Sequence, residues 1–445
     1  MPTSTTSGTV SLTDLRSQLQ GRALGPGDSG YDEARTIMAG GFDPKPAVIV
    51  RPTVDADVAR TIALARETGL PLAVRSGGHS GAGHGTADGG IVLDLRDMKT
   101  IEIDVDGRTA WAGAGLTAGE FTTAAAAHGL AVGFGDTASV GLGGLTLGGG
   151  VGYLARKYGL TVDSLLAADV VTADGETLRV DEGSHPDLFW AIRGGGGNYG
   201  VATRFRFRLH EIDQVVGGML ILPATAETVA GFVAAAERAP DELTTIANVM
   251  NCPPMPFIAE EHHDSLVIMA LVCWAGDSDA GLEAMAPFLE LAEPLANLVR
   301  PMPYPEIYPP DDPDYHPTAV AKTMFVESVG PAEASTIIER LQASDATLRA
   351  AQLRVLGGAV ARVPADATAY AHRESRIMVN VAAFYDGPED RLVRAAWVDD
   401  LVRALHQGDD AAYVNFLADE GPERVRAAYP GATWDRLAAV KATYD

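Results

Sequence analysis

The chain has 445 residues, 47% of them hydrophobic and 21% charged, with 49 glycines and a formal net charge of −25 at neutral pH. That is room for two domains with ordinary cores, and so large a negative charge argues against nucleic acid or an anionic membrane surface as a partner. Two cysteines, Cys252 and Cys273, give neither a disulfide framework nor a CxxC metal site. The N-terminus lacks a secretion signal and no run reaches transmembrane length, so the expectation is a cytoplasmic protein with no metal.

The predicted elements begin with a strand at Ala47–Val50, a helix over Val54–Gly69 that stops on glycine, and a second strand, PLAV, in a βαβ-like unit. Strands follow at Gly89–Leu95 and Thr100–Asp104, with a hairpin turn at Asp106-Gly107. An alanine-rich helix covers Thr117–Gly129, a second hairpin turns at Asp174-Gly175, and a short helix spans Asp187–Arg193. Beyond Thr203 the pattern changes to separated strands at Leu243–Asn251, Ser265–Trp274, Ala319–Glu327, Leu353–Ala361 and Arg376–Tyr385, with amphipathic helices at Asp279–Leu298 and Pro331–Leu341. This predicts an antiparallel sheet covered on one face by helices. The tail from Asp390 carries a long helix, a strand over AAYVNFLAD and a final helix from Thr433.

Glycine clusters near His79, at Gly141–Gly152, at Gly194–Gly200 and at Gly357-Gly358. The first, VRSGGHSGAGHG, places His79 in a loop nearly stripped of side chains, directly after a strand. Gly77, Gly78 and Gly81 let that backbone approach a flat or anionic ligand. The second cluster fails the dinucleotide fingerprint GxGxxG: counted from Gly141 the sixth residue is Thr146, counted from Gly148 it is Tyr153, and Gly150 to Ala155 has no strand before it. The third, GGGNYG at Gly195–Gly200, matches, but it follows a helix and leads into a strand, the reverse of what a Rossmann turn requires. A nicotinamide dehydrogenase is therefore disfavoured. Two facing glycine loops either clamp a pyrophosphate with backbone N–H groups or simply let backbone pack closely.

The ordered set PxxIxRPxxxxDV (Pro46–Val58), VRSGGHS, DGGIVLDL, SVGLGGLTLGGGVGYLARKYGLTVD, HPDLFWAIRGGGGNYGVAT and YVNF resembles the berberine-bridge-enzyme-like flavoproteins of the vanillyl-alcohol-oxidase class over nearly the whole chain. The resemblance implies an α+β protein. Its PCMH-type FAD-binding domain, built of two α/β subdomains, would cover residues 1–205, and an inserted antiparallel-sheet substrate domain with helices on one face would cover 206–405. The tail, 406–445, would return to the FAD domain. It also implies FAD bound covalently through His79 to the flavin 8-methyl carbon, a neutral imidazole being a competent nucleophile. His84 has no matching position. Relatives with a second link carry a cysteine where this chain has Thr137, so no cysteinyl bond is expected, as in the single-histidine bacterial branch.

In the cradle the resemblance assigns Arg75, Ser76, Gly77, Gly78, Ser80 and Gly81 to one side of the pyrophosphate and the isoalloxazine edge. Gly141, Gly144, Gly148, Gly149, Gly150 and Tyr153 fall on the other side, and Val201 at the pyrimidine end. Val140 stands at the oxygen gate, where a small β-branched side chain resembles the oxidase variants. Tyr413 and Asn415, two apart, match the YxN motif that places a base over the flavin and an amide near its ring. An ordinary tyrosine has a pKa of about 10, so this use needs neighbours that lower it. Asn380 occupies the place where relatives have Gln or Glu facing the flavin. His372 and Arg373 match a common family pair, His262 and His263 read as a solvated turn, and Tyr304 as an aromatic near the pocket. Relatives continue beyond VKATYD with a segment that packs near the flavin, so the expected pocket contribution of that segment is in doubt here.

The activity implied is that of an FAD-dependent oxidase. A hydride passes from a carbon bearing O–H or N–H to the flavin while Tyr413 or a neighbour takes the proton, and O2 reoxidises the flavin to give H2O2. Few charges on the substrate strands, apart from Arg354, Arg362 and Arg376, point to a small apolar or aromatic secondary metabolite as substrate. The rivals are a monooxygenase using a flavin–oxygen adduct, an FAD dehydrogenase that does not react with oxygen, and a non-catalytic flavin carrier. Monomer and homodimer are both open.

Overall fold

The computed structural model describes residues 10–312 and 314–445. Its first sheet holds β1 (Arg22–Leu24), β2 (Val48–Arg51), β3 (Leu72–Arg75) and β4 (Ile91–Asp94) in the order β1-β2-β4-β3. β2 and β3 both run parallel to β4, joined through the helix Asp55–Thr68. That helix stops because Gly69 adopts φ 68°, from which its N–H closes on the Ala65 carbonyl. β4 is buried along its whole length, as a parallel strand covered on both faces must be.

The second sheet is formed by β5 (Ile101–Asp104), β6 (Thr109–Gly113), β7 (Leu165–Val171), β8 (Thr177–Asp181) and β9 (Val201–Arg208), in the order β5-β6-β9-β7-β8. Both expected hairpins are present, the second turning at Gly175 with φ 88°. The helix Ala118–Ala126 begins on a capping box in which Thr117 and Glu120 exchange hydrogen bonds. Apolar side chains of both sheets share one core with Ala412, Leu417, Leu437 and Val440 of the tail.

The third sheet is antiparallel and contains β10 (Gln214–Pro223), β11 (Leu243–Asn251), β12 (Leu266–Trp274), β13 (Ala319–Val326), β14 (Arg349–Val355) and β15 (Ile377–Phe384), ordered β10-β12-β11-β14-β15-β13. One face packs under the helices Ala226–Arg238, Pro331–Ala343 and Gly387–Leu405. The opposite face turns toward the first two sheets.

Several elements differ from their sequence expectation. The strand expected over Leu353–Ala361 lies at Arg349–Val355 instead, because Gly357 and Gly358 both take positive φ and end it before a helical turn at Ala359–Arg362. The helix expected over Asp279–Leu298 is two short pieces, Ser278–Ala284 and Ala286–Leu289, after which Ala296–Asn297 joins the edge of β10. The YVNF strand is a single 3-10 turn, Val414–Phe416. β10 was hidden in the unbroken apolar run VVGGMLIL, and a helix, Leu142–Leu147, sits inside the second glycine cluster.

Candidate active site

β3 delivers the chain into the loop carrying His79, and the second glycine cluster crosses that loop at backbone distance. A Cβ on Gly77 would lie 2.3 Å from the Gly141 nitrogen, and one on Gly141 would lie 2.1 Å from the Gly77 nitrogen. Ser76 fastens the crossing: its hydroxyl donates to the Ala114 carbonyl at 2.6 Å and accepts from the Gly143 N–H at 3.2 Å. Gly77 and Gly141 therefore serve close packing of backbone. Gly81 and Gly144 differ, since a Cβ on either would meet nothing within 4 Å. Gly78 takes φ 78°, and Ser80 is half-buried beside His79.

Arg75 requires a correction. Its guanidinium points away from the loop into the first sheet, donating to Asp94 at 2.9 Å and to the carbonyls of Ala34 and Thr36. Only 2% exposed, its side chain is held in a buried ion pair with Asp94 rather than presented to a ligand. Tyr153 is likewise turned inward, packed edge-on against Tyr308 and also beside Tyr304, with its hydroxyl on the Asp136 carbonyl. Burial pushes its phenol far up, so any cofactor contact at Tyr153 is through backbone.

His79 is half-buried, and desolvation pushes its imidazole below the ordinary range. The Asp311 carboxylate, the Ser139 backbone and the Asp136 carboxylate pull weakly the other way. The ring is therefore neutral at neutral pH. The turn opposite carries Thr137, whose hydroxyl donates to the Asp136 carboxylate at 3.2 Å, and the half-buried Val140. His84 is exposed. In the third glycine cluster, the N–H groups of Gly194 and Gly196 both close on the Leu147 carbonyl, so that cluster caps the helix Leu142–Leu147. Val201 is buried at the start of β9, paired with Val171.

The tail enters over the turn Gly148–Gly150. Tyr413 is buried, and its hydroxyl oxygen accepts from the Gly150 N–H and from Asn415 Nδ2, each at 2.9 Å. Asn415 Nδ2 also donates to the Leu145 carbonyl at 3.1 Å. Gly148 is required here, because a Cβ on it would lie 2.0 Å from Asn415 Oδ1; one on Gly149 would touch Tyr370, and one on Gly150 would strike Thr161. The lowered pKa that use of Tyr413 as a base requires is not found. Asn415, the Gly150 N–H and Arg354 favour the phenolate, but burial outweighs them and the net shift is upward.

Facing this tail is the open side of the third sheet. Asn380 on β15 stands opposite Gln352 on β14 and Thr323 on β13, and Gln352 stands opposite Asn248 on β11, forming one cross-strand row. Asn380 Oδ1 and Thr323 Oγ1 are buried and have no protein hydrogen-bond partner. Two residues along, Arg354 donates to Asp136 at 2.5 Å, to the Val151 carbonyl and to Gln352 Oε1. It thus ties the sheet to the turn beside Thr137. Sequence reading missed Asn248 and Gln352, whose strands carry other polar residues that mask them, Thr244, Thr245 and Asn251 in one and Arg349 and Arg354 in the other.

The remaining candidates fall elsewhere. His372 bonds the Ala428 carbonyl and Arg373 pairs with Asp163, both buried struts between segments. Arg362 and Arg376 pair with Asp241 and Glu237 at the surface. Tyr304 is fully buried in an apolar cluster. His262 and His263 lie in a surface turn, and no group of three metal-ligating side chains occurs among the described residues.

Residues 46–181 match the FAD binding domain family. An FAD-linked oxidoreductase of Bacillus subtilis (strain 168), YvdP, is 31% identical over 446 residues, covering 96% of this chain and 96% of the relative. The (R)-6-hydroxynicotine oxidase of Paenarthrobacter nicotinovorans is 41% identical over 216 residues, a match spanning only 47% of that enzyme's length. Among solved structures, 6-hydroxy-D-nicotine oxidase from Arthrobacter nicotinovorans superposes with a TM-score of 0.84 at 27% identity, covering 96% of this chain and 95% of that one. Berberine-bridge-enzyme-like protein 1 of Physcomitrella patens shares the fold, with a TM-score of 0.85 at 24% identity, over 98% of this chain and 96% of its own. The open faces of Gly81 and Gly144, beside a neutral half-buried imidazole, leave room for a flat cofactor and fit FAD.

Proposed function

The chain belongs to the FAD-linked oxidoreductases, and from that premise we propose that it is an oxidase carrying FAD on His79 and passing electrons from a small apolar or aromatic metabolite to O2. The single observation that carries this reading is the hydrogen bond from the Gly150 N–H to the Tyr413 hydroxyl, which fixes the tail's tyrosine over the far end of the glycine cluster whose start, Gly141, crosses the His79 loop at Gly77. When bound, FAD supplies a two-electron acceptor that O2 can reoxidise.

The residues divide the remaining work. His79, kept neutral by burial, is the nucleophile that tethers the flavin methyl carbon, and Thr137 leaves it the only tether. Gly81 and Gly144 line the cofactor with their open faces, while the turn Gly148–Gly150 holds the tail, its N–H groups being taken by the Gly144 and Thr146 carbonyls and the Tyr413 hydroxyl. Tyr413, as its phenolate, takes the substrate proton and becomes the neutral phenol, the N–H groups of Gly150 and Asn415 stabilising the phenolate before the transfer. Asn415 positions Tyr413, and Asn380 faces the substrate. In this reading residues 1–205 and 406–445 hold FAD and 206–405 hold the substrate. Among the described residues no helix is long and apolar enough to cross a membrane.

Oxygen uptake measured with peroxide trapping during turnover separates this oxidase from its rivals. Stoichiometric H2O2 release is expected. Oxygen incorporated into product without peroxide would make the protein a monooxygenase, and turnover that needs an artificial acceptor would make it a dehydrogenase.

A further inference from the structure

We propose that the open face of the third sheet selects an uncharged substrate, and that Asn248 and Gln352 read with Asn380 a paired donor and acceptor edge on an apolar ring. The inference rests on the flavoenzyme reading above and names the substrate class of that same site. Register puts Asn248, Gln352, Asn380 and Thr323 in one row across β11, β14, β15 and β13. Half-buried Met219, Met269, Met255 and Leu271 make the wall beside it.

The directions of the Gln352 and Asn248 amides are fixed by chemistry. A guanidinium only donates, so the group facing Arg354 Nε at 2.8 Å must be Gln352 Oε1. Gln352 Nε2 then donates to Asn248 Oδ1 at 2.9 Å, and Asn248 Nδ2 donates to the Met269 carbonyl at 3.1 Å. The chain of donors starts at Arg354, itself oriented by Asp136, and cannot flip without breaking each link. What it leaves free is the second hydrogen of Gln352 Nε2 and, one strand over, the buried and unpartnered Asn380 Oδ1. Gln352 thus offers a fixed donor, and Asn380, whose amide no protein group engages, is free to turn its oxygen beside it, giving the complement of a lactam, a carboxamide or a hydroxyl next to a carbonyl.

Charge excludes the alternatives. Arg354 is the only charged side chain on that face of the six strands, and Asp136 and the Val151 carbonyl consume it. Lys322 and Arg349 project from the same strands to the helix-covered face, where Lys322 meets Asp399 and Arg349 the Leu341 and Ala346 carbonyls. An ammonium or carboxylate seated on the row would be desolvated without a counter-charge, which neutral amide dipoles do not offset.

Ligand-observed NMR on the purified holoprotein at neutral pH tests this with three probes of similar size: δ-valerolactam, piperidinium and cyclohexanecarboxylate. The lactam is expected to bind about tenfold or more tightly than either ion, a difference of about 1.4 kcal/mol or more. Gln352→Glu, which removes the free donor and adds a carboxylate, is expected to weaken the lactam and strengthen piperidinium. Asn248→Leu, which breaks the donor chain without adding charge, is expected to weaken the lactam and help neither ion. Equal binding of all three, preference for an ion, or no binding of any in the wild type overturns the inference. Visible absorbance of the same sample reads the flavin separately: a yellow protein without lactam preference contradicts the inference alone, whereas a colourless one contradicts the function it rests on, and the inference with it.

Discussion

Asn415 and Tyr413 meet side chain to side chain, with Asn415 Nδ2 donating to the Tyr413 hydroxyl oxygen at 2.9 Å while the Gly150 N–H donates to the same oxygen from the turn below. Both donors stabilise a phenolate, yet burial is the larger effect and raises the Tyr413 pKa from its ordinary value. If Tyr413 is the base, its reactive form is the deprotonated one. The turnover rate should then climb with pH through neutrality and reach no plateau below the ordinary tyrosine value of about 10. Asn415→Leu removes one donor, so the profile should move to still higher pH and the rate at any fixed pH should fall. Tyr413→Phe should lower kcat by about 10²–10⁴ with flavin content unchanged. A flat pH–rate profile across neutrality would assign proton removal to another group.

The glycines of the cradle divide into two kinds that substitution should separate. Gly77→Ala forces a methyl to within 2.3 Å of the Gly141 nitrogen, so the apoprotein itself should lose stability, by about 2 kcal/mol or more, in a urea titration. Gly144→Ala meets nothing within 4 Å and lies in a helix, where alanine is favoured over glycine. Its apoprotein should be as stable as wild type or slightly more so. If FAD lies along that face, the same variant should retain less flavin on purification, and full retention would remove Gly144 from the cradle.

Arg354 is 4% exposed and carries the ion pair that joins the third sheet to the turn at Asp136. Arg354→Leu leaves Asp136 without its partner and Gln352 without its orienting donor. A loss of about 3–5 kcal/mol is expected, measured by chemical denaturation at neutral pH. Adding Asp136→Asn should recover part of that loss, because the stranded charge is then gone. Equal stability of the single and double variants would mean the pair is not coupled.

Much of this arrangement is legible in the sequence, and what escapes it does so for identifiable reasons. The strand at Leu243–Asn251 forms where its alternation places it, and the separation of Tyr413 from Asn415 brings their side chains together even though a 3-10 turn replaces the expected strand. The glycine clusters mark both loops, but sequence cannot say which glycines face a ligand and which face another backbone. Gly77 and Gly141 turn out to need each other. Arg75 looks like an anion ligand because it precedes the glycines, yet its side chain follows the alternation of β3 into the sheet and meets Asp94. The row Asn248–Gln352–Asn380 is assembled from three neighbouring strands, the first of which lies far from the other two along the chain, so no local pattern reveals it.

The central claim is that His79 is the flavin's single covalent tether. Acid precipitation of the denatured protein tests it most directly: yellow, fluorescent flavin should stay with the wild-type polypeptide and pass into the supernatant from His79→Ala. Release from the wild type, or retention by the variant, would contradict the account.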